Sequence, residues 1–263
     1  MQFTDSHREE FDREGCVILK NVISCEHAIE IRNIVHSLAE TEKRYGDSYF
    51  YEFDKSGKTQ RVWNLVNKHK EFRELLETSI IDKFMNYIFD RETRHQKYFL
   101  SSFQANILYS GAARQKLHID TPFPEPLPPW PAKANSIWFL DDFTEANGAT
   151  EYLPGSHKLS NKPTKSDDKE CDLMKACGPA GSVLITHGNL WHRAGGNNTS
   201  ESRTALLCSF AASYAREIAN EEDHSIVINK EIIDSFSPHL NTVLGIGHGI
   251  KSGSQFDHTK VRS

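Results

Sequence analysis

The chain has 263 residues, with 31 Lys and Arg against 36 Asp and Glu, so its formal net charge is −5. This mild acidity argues against a general nucleic-acid binder, because such proteins present basic surfaces to phosphates. A mean hydropathy of −0.56, with no apolar run near the roughly 18 residues that a span needs, argues against a membrane protein. The polar, charged N-terminus is unlike a secretory signal or transit peptide. Five cysteines without a C-x-x-C pattern indicate reduced thiols, so we expect a soluble cytoplasmic protein.

The first 97 residues or so are predicted to be mainly helical. A short charged helix runs from Thr4 to Glu14 and ends at Gly15, and the apolar strand Cys16 to Leu19 follows. Ser24 is a suitable N-cap for the next helix, whose apolar residues recur at helical spacing. Residues 45–58 contain Gly, Ser and Asp and are predicted to form a loop. Apolar residues between positions 72 and 88 predict one or two further helices.

From about residue 98 the pattern changes to short strands separated by turn residues, which is typical of a sandwich or jelly roll. Six of the ten prolines fall within residues 121–131, and this segment is predicted to be a semi-rigid loop or lid. The predicted strands are Phe103 to Tyr109, Leu117 to Ile119, Ser136 to Leu140, Thr150 to Leu153, Val183 to Thr186 and Ala205 to Phe210.

The pair His118 and Asp120 has the form H-x-D, which places an imidazole and a carboxylate on one face of a strand. With 13 histidines in the chain, chance supplies about 0.7 such pairs, so the match needs context. His118 and Asp120 end a predicted strand and open onto the proline-rich loop, where a sheet can hold ligands rigidly. The related H-x-E pairs at His7 and His69 lie in predicted surface helices and are interpreted as solvated.

A 2-His-1-carboxylate iron site requires a second histidine from a distant strand. The downstream candidates include His157, His187 and His192. His192 lies between two predicted strands, and Arg203 follows it by eleven residues at the start of the second. A guanidinium fixed there can bind a carboxylate through two hydrogen bonds.

These residues, with their surroundings, resemble the phytanoyl-CoA dioxygenase family. The resemblance is carried by the string from Leu140 to Lys158, by His118-x-Asp120, by His192 followed by Arg203, and by the opening from Phe11 to Ile23. It covers nearly the whole chain. It implies a mainly β fold with flanking α-helices, built on a double-stranded β-helix (jelly roll, cupin-like). It also implies one oxygenase domain over residues 1–263, with a helical part at about 1–97, a core at about 98–215 and a C-terminal extension at 216–263.

The resemblance further implies that His118, Asp120 and His192 bind Fe(II), and that Arg203 binds the distal carboxylate of 2-oxoglutarate. The family often has a hydroxyl residue two positions after the second histidine, where this chain has Ala194. Thr150 or Gln104 is predicted to supply part of that hydrogen bonding. The expected activity is hydroxylation of an unactivated C–H bond of a small molecule with O₂, releasing succinate and CO₂. Desaturation, epimerisation or cyclisation with the same cofactors stays open, as does a jelly-roll metal- or ligand-binding protein without oxygenase activity.

The remaining candidates have a competing structural interpretation. His157 is predicted to stabilise a Pro-Gly-Ser-His turn. His187 is predicted to be packed in the interior or to lie next to the metal ligands without binding the metal, and the C-terminal histidines are predicted to be solvated. Candidate substrate contacts are the residues Arg61, Trp63, Phe123, Trp130 and Trp138, and for each aromatic residue core packing is an equal alternative. We expect a specialised metabolite or an amino-acid derivative as substrate, and the oligomeric state stays open.

Overall fold

The first helix and the first strand lie within one residue of their predicted bounds. The computed structural model describes residues 2–50, 54–89, 98–215 and 228–246. Helix α1 (Asp5–Glu14) is capped by Thr4, whose hydroxyl accepts a hydrogen bond from the His7 backbone N–H. It ends at Gly15, whose φ of +83° favours glycine, and strand β1 (Cys16–Leu19) follows directly.

Three further helices cover one face of the main sheet. Helix α2 (Cys25–Tyr45) starts at the predicted cap, Ser24, and α3 (Lys70–Leu76) and α4 (Ser79–Phe89) account for the predicted helical region at 72–88. Their apolar residues share one buried cluster with residues of the central strands, including Trp138 and Phe210. The principal apolar core therefore lies between these helices and the sheet.

The strands form two antiparallel sheets. The larger has seven strands in the order β1-β8-β5-β10-β4-β3-β2, and the smaller has three in the order β7-β6-β9. Strands β2 to β10 are, in chain order, Tyr49–Phe50, Thr59–Val62, Tyr98–Leu108, Lys133–Phe139, Thr150–Tyr152, Met174–Ala176, Val183–His187, His192–Ala194 and Arg203–Ala212. Helix α5 (Asp167–Glu170) lies between β6 and β7, and α6 (Lys230–Ile233) and α7 (Pro238–Val243) follow the sheets.

Alternation along β5 separates the core from a polar interior. Ala134 and Trp138 point to the helices, whereas Lys133, Asn135 and Ile137 point to a cavity between the two sheets. The helices thus cover one face of the large sheet, and the small sheet faces the other. None of the helices in the described ranges is long and apolar enough to cross a membrane.

The structure corrects several boundaries. The predicted strand from Leu117 to Ile119 is only an isolated bridge between His118 and His192, and the predicted loop at 45–58 contains the last residue of α2 and strand β2. Strands β3, β7 and β9 were not predicted from the sequence. Two of these, β7 and β9, have three residues each, which is too short for alternation to be recognised. Most of the predicted C-terminal extension, at 216–227 and 247–263, lies outside the described residues.

Candidate metal centre and cosubstrate cavity

A polar cavity of about 230 Å³ lies between the two sheets. Strands β4, β5 and β10 line it from the large sheet, and β6 and β9 line it from the small one. Predicted site residues that border it are His118, Asp120, His192, Arg203, Thr150, Gln104 and Arg61. Six of the polar lining residues were not singled out from the sequence: Ser102, Asn106, Gln115, Lys133, Asn135 and Ser209.

Reciprocal backbone hydrogen bonds hold the two histidine segments side by side. The N–H of His118 donates to the carbonyl of His192 at 3.0 Å, and the N–H of His192 donates to the carbonyl of His118 at 2.9 Å. The two imidazole rings consequently lie with their centroids 4.5 Å apart. These main-chain bonds thus contribute directly to the spacing of the two segments.

The side chains of His118, Asp120 and His192 converge on one point. Their potential ligand atoms all lie within 4.8 Å of one another. The Asp120 carboxylate is 3.7 Å from His118 Nε2 through Oδ1 and 3.3 Å from His192 Nε2 through Oδ2. Nδ1 of His118 lies 2.8 Å from the Lys116 carbonyl, and Nδ1 of His192 lies 2.9 Å from the Leu190 carbonyl. Because a carbonyl only accepts, each Nδ1 carries the proton, which leaves the Nε2 lone pair available in the neutral imidazole.

Asp120 is held by neighbours on both sides. Its backbone N–H donates to the carbonyl of Gly188 at 2.9 Å, and the amide of Asn135 donates to Oδ2 at 2.5 Å. Burial alone would raise the pKa of this carboxyl group, but the positive charge of the neighbouring imidazoles, His192 foremost, and of Lys133 holds the pKa well below its usual range. Asp120 is therefore an ionised, oriented oxygen donor.

The donor set fits a divalent transition metal. Two imidazole nitrogens and one carboxylate on one side of a cavity match the facial arrangement found in non-haem iron oxygenases, which leaves further coordination positions open. Burial lowers the pKa of His118, with His192 adding to the effect, and this favours the neutral ligand form. For His192, burial also lowers the pKa, but Asp120 outweighs it and the pKa is raised. An ion bound there would compete with that proton.

Arg203 lies at the end of the cavity where β10 begins, opposite Leu108 of β4. Its side chain is buried, Nη2 donates to the carbonyl of Gly148 at 2.7 Å, and the guanidinium carbon lies 4.3 Å from the Phe143 ring centroid. Gly148 adopts φ of +89°, which suits glycine and aims this carbonyl. Burial lowers the pKa of Arg203 to about 10, although Asp141 opposes the shift, so the group stays cationic at neutral pH. Its Nε atom is buried without a hydrogen-bond partner among the described residues.

The surroundings of Arg203 fit a carboxylate ligand. A buried guanidinium with an unsatisfied N–H calls for an anionic acceptor. Thr150 and Gln104 border the same cavity, and Oε1 of Gln104 also lacks a partner among the described residues. Ala194 faces this space, and its backbone N–H donates to Gln115 Oε1 at 2.9 Å.

The sequence profile of the phytanoyl-CoA dioxygenase (PhyH) family matches residues 11–205, a span that contains all of these side chains. The chain belongs to the phytanoyl-CoA dioxygenase family. This places it in the superfamily of iron- and 2-oxoglutarate-dependent oxygenases and confirms the resemblance predicted from its motifs.

Two fungal dioxygenases are informative relatives of this chain. Dioxygenase af480 of Aspergillus fumigatus is 34% identical over 151 residues, which cover 57% of this chain and 48% of that protein. The alignment thus spans about half the length of af480. Dioxygenase sphC of Aspergillus fumigatus is 26% identical over 252 residues, which cover 91% of this chain and 67% of that protein.

Solved structures confirm the predicted jelly-roll fold. HygX from Streptomyces hygroscopicus, solved with nickel, 2-oxoglutarate and hygromycin B bound, superposes with a TM-score of 0.65 at 14% identity. The superposition covers 81% of this chain and 88% of HygX. The epimerase SnoN, in complex with Fe³⁺, alpha-ketoglutarate and nogalamycin RO, gives a TM-score of 0.63 at 16% identity, covering 79% and 82% of the two chains.

The predicted substrate contacts occupy different places in this family member. Arg61 borders the cavity, and its guanidinium lies 5.4 Å from the ring centroid of Trp63. Phe123 and Trp130 line a separate surface groove of the proline-rich loop, where Trp130 is 44% exposed. Trp138 is buried on the helix-facing side of β5, so its position matches the alternative interpretation, core packing.

The other candidate histidines lie away from the cavity. His157 lies in a 3₁₀ turn (Ser156–Lys158), as expected for a turn residue, and its ring centroid is 5.3 Å from that of the buried His187. Among the C-terminal histidines, His239 has a side chain that is 38% exposed, and Nε2 lies 4.0 Å from Asp82. Three others, His224, His248 and His258, lie outside the described residues.

Proposed function

We propose that the protein is an Fe(II)- and 2-oxoglutarate-dependent dioxygenase that hydroxylates an unactivated C–H bond of a small molecule. One observation carries this proposal: a 2-His-1-carboxylate donor set and a buried guanidinium border the same cavity. A simple metal-binding protein has no need of a buried cation at the far end of its site. An oxygenase that binds a dicarboxylate cosubstrate does.

His118, Asp120 and His192 would hold the iron, and Arg203 would bind the distal carboxylate of 2-oxoglutarate. The bound iron and cosubstrate would supply the oxidising power of O₂, with 2-oxoglutarate converted to succinate and CO₂. Thr150 and Gln104 are proposed to complete the hydrogen bonding of the cosubstrate, since both border the cavity.

The protein's own residues would orient the metal ligands and neutralise the cosubstrate carboxylate. Both histidines present Nε2 because their Nδ1 protons are bound to backbone carbonyls, and Asn135 fixes the rotation of the Asp120 carboxylate. Arg203 is fixed by Gly148 and Phe143, so little side-chain freedom is lost when a carboxylate binds. The cavity walls would keep bulk water away from the ion pair between Arg203 and the cosubstrate carboxylate, and this would strengthen the pair.

For the substrate we propose a specialised metabolite or an amino-acid derivative. The structural neighbours support a small-molecule substrate, because HygX was solved with hygromycin B and SnoN with nogalamycin RO. They also support alternative outcomes with the same cofactors, because SnoN is an epimerase and SnoK, at a TM-score of 0.62, is a carbocyclase. Epimerisation and cyclisation therefore stay as second candidates. We also propose a cytoplasmic location, since all five cysteines are free.

The proposal is tested by succinate formation. Purified protein with Fe(II), ascorbate and 2-oxoglutarate is expected to release succinate slowly without substrate. The variants His118→Ala and Asp120→Ala should abolish this release. His69→Asn is the matched control, because His69 belongs to an H-x-E pair away from the cavity and Asn also caps a helix well. Undiminished succinate from either ligand variant would refute the proposed site.

The rival function is a jelly-roll protein that binds metal or another ligand without oxygenase chemistry. Titration calorimetry of the Co(II)-loaded protein with 2-oxoglutarate separates the two. The oxygenase requires binding that is weakened in Arg203→Lys. Absence of any heat in the metal-loaded wild type would favour the rival.

A further inference from the structure

The short helix α5 lies against the outside of the small sheet and touches both histidine segments. The Oδ1 atom of Asp168 accepts a hydrogen bond from the Leu117 backbone N–H at 2.9 Å. The same atom accepts one from Arg193 Nη1 at 2.7 Å. Leu117 directly precedes His118 and Arg193 directly follows His192, so one carboxylate oxygen links the chain neighbours of both proposed metal ligands.

Alternation along β9 explains why Arg193 is available for this contact. His192 and Ala194 point into the cavity, so the residue between them points to the opposite side of the small sheet. Arg193 is nevertheless only 5% exposed, because α5 and β6 cover it. Its Nε donates to Glu151 Oε2 at 2.6 Å, and Nη1 also donates to the Asp168 carbonyl at 3.1 Å.

The contact has the features of a strong, directional hydrogen-bond pair. Burial alone would raise the pKa of Asp168, but the Leu117 N–H and the Arg193 guanidinium outweigh it and lower the pKa. The carboxylate is therefore ionised, and its bonds to the two segments are charge-assisted. A shift of either histidine segment away from the other would lengthen one of these bonds.

Helix α5 is itself fixed. Both the backbone N–H and the hydroxyl of Thr164 donate to Asp167 Oδ2 at 2.7 Å, and the Ser166 hydroxyl donates to Glu170 Oε1 at 2.7 Å. Asp168 is consequently presented from a local framework that does not depend on the cavity.

We propose that Asp168 is a positioning residue of the metal centre, which holds the His118 and His192 segments at the separation that the ion requires. The inference rests on the proposed function, because it assumes that these histidines bind the metal. Asp168 does not border the cavity and contacts neither imidazole. Its effect passes through the backbone of Leu117 and the side chain of Arg193.

Glu151 provides a matched control. It is the other carboxylate on Arg193, it lies on the small sheet, and its side-chain hydrogen bond goes to Arg193 rather than to the His118 segment. Asp168→Ala leaves Arg193 paired with Glu151, and Glu151→Ala leaves it paired with Asp168. Neither variant leaves the guanidinium without a carboxylate, so the two differ mainly in the link to Leu117.

The experiment measures Co(II) affinity and the Co(II) absorption spectrum of the full-length protein, well below its unfolding temperature. Removing a group that hydrogen-bonds a metal ligand typically weakens metal binding by about 10- to 100-fold. Asp168 acts one residue further from the metal, so Asp168→Ala is expected to weaken Co(II) binding by about tenfold, the lower end of that range. It should also change the Co(II) spectrum, which reports coordination geometry. Glu151→Ala should keep the wild-type spectrum and bind Co(II) within about threefold of wild type, below the usual outer-shell loss, because the bond from Leu117 to Asp168 stays intact.

The Co(II) titrations distinguish failure of the proposed metal site from failure of the positioning role. If wild type binds no Co(II), the proposed metal site itself fails. If wild type binds but Asp168→Ala matches it in affinity and spectrum, or Glu151→Ala loses as much as Asp168→Ala, the positioning role is wrong. Should Asp168→Ala not fold, Asp168→Ser serves instead. Its hydroxyl keeps the position polar but is too short to accept hydrogen bonds from Leu117 and Arg193 together, so an unaltered Co(II) affinity and spectrum in that variant would likewise overturn the inference.

Discussion

His187 should make the protein less stable as the pH falls. Its ring is buried at the end of β8, beside His157 and Phe11. Burial, with a smaller contribution from the nearby His157, lowers its pKa to about 3. Nδ1 of His187 also accepts the Asn189 backbone N–H at 3.0 Å, a bond that a proton on Nδ1 would remove.

The size of this loss of stability follows from the linkage between folding and protonation of His187. In the unfolded chain the imidazole binds a proton below about pH 6.5, whereas in the folded protein it stays neutral until about pH 3. The unfolded state therefore binds more protons between these values, and stability falls as the pH decreases through this window. Each pH unit below the unfolded pKa costs about 1.4 kcal/mol, so His187 alone should lower the free energy of unfolding by about 2 kcal/mol between pH 7 and pH 5.

Urea unfolding at pH 7 and pH 5, after removal of metal by a chelator, measures this loss. His187→Asn keeps an acceptor near the Nδ1 position but does not titrate, so its loss of stability between the two pH values should be about 2 kcal/mol smaller than that of wild type. His69→Asn is the control, because Nδ1 of His69 accepts the backbone N–H of Glu71 in the same local pattern at a partly exposed site. If His187→Asn loses as much stability as wild type, or His69→Asn reduces the loss equally, the reasoning is wrong.

Three further substitutions test the cavity and the segment beside it. Arg203→Lys should weaken 2-oxoglutarate binding about 10- to 100-fold in calorimetry, because a charge-assisted hydrogen bond contributes about 1.5–3 kcal/mol. Its Co(II) affinity should stay unchanged. Equal 2-oxoglutarate affinity in the variant and the wild type would contradict the role assigned to Arg203. Asn135→Leu removes the donor to Asp120 Oδ2 and should weaken Co(II) binding about tenfold, and an unaltered Co(II) titration would show that Asn135 does not orient the ligand. Gly188→Ala places a methyl group 2.7 Å from the Lys133 carbonyl oxygen, so thermal unfolding should show about 1–3 kcal/mol lower stability, and a wild-type unfolding temperature would refute this clash.

Local signals in the sequence predict the N-terminal half well. Thr4 and Ser24 cap the starts of α1 and α2, because the hydroxyl of each accepts a hydrogen bond from a free backbone N–H. Helix α1 stops before Gly15, whose conformation favours glycine. These interactions span three or four residues, so the sequence alone contains them. The family motifs likewise identify the proposed ligands, whose side chains the structure brings together.

Contacts between distant segments were beyond prediction. Strand β5 is buried on both faces, so its composition does not reveal that Asn135 faces the cavity while Trp138 faces the helices. The link from Asp168 to Arg193 joins residues 25 positions apart through a short helix and a three-residue strand, neither of which has a periodic pattern. Only the three-dimensional arrangement shows that Asn135 contacts Asp120 and that Asp168 contacts Arg193.

The reciprocal backbone bonds between His118 and His192 bear on when the metal enters. The two histidines are far apart in the chain, and bringing them together carries the entropy cost of closing a long loop. Here that closure belongs to folding, because the bonds that join the segments are between main-chain atoms, none of which is a metal ligand. In zinc fingers, by contrast, metal binding and folding are a single event. Iron should therefore load into an already folded protein and leave it by chelation without unfolding the chain, so the supply of metal controls activity rather than survival of the fold.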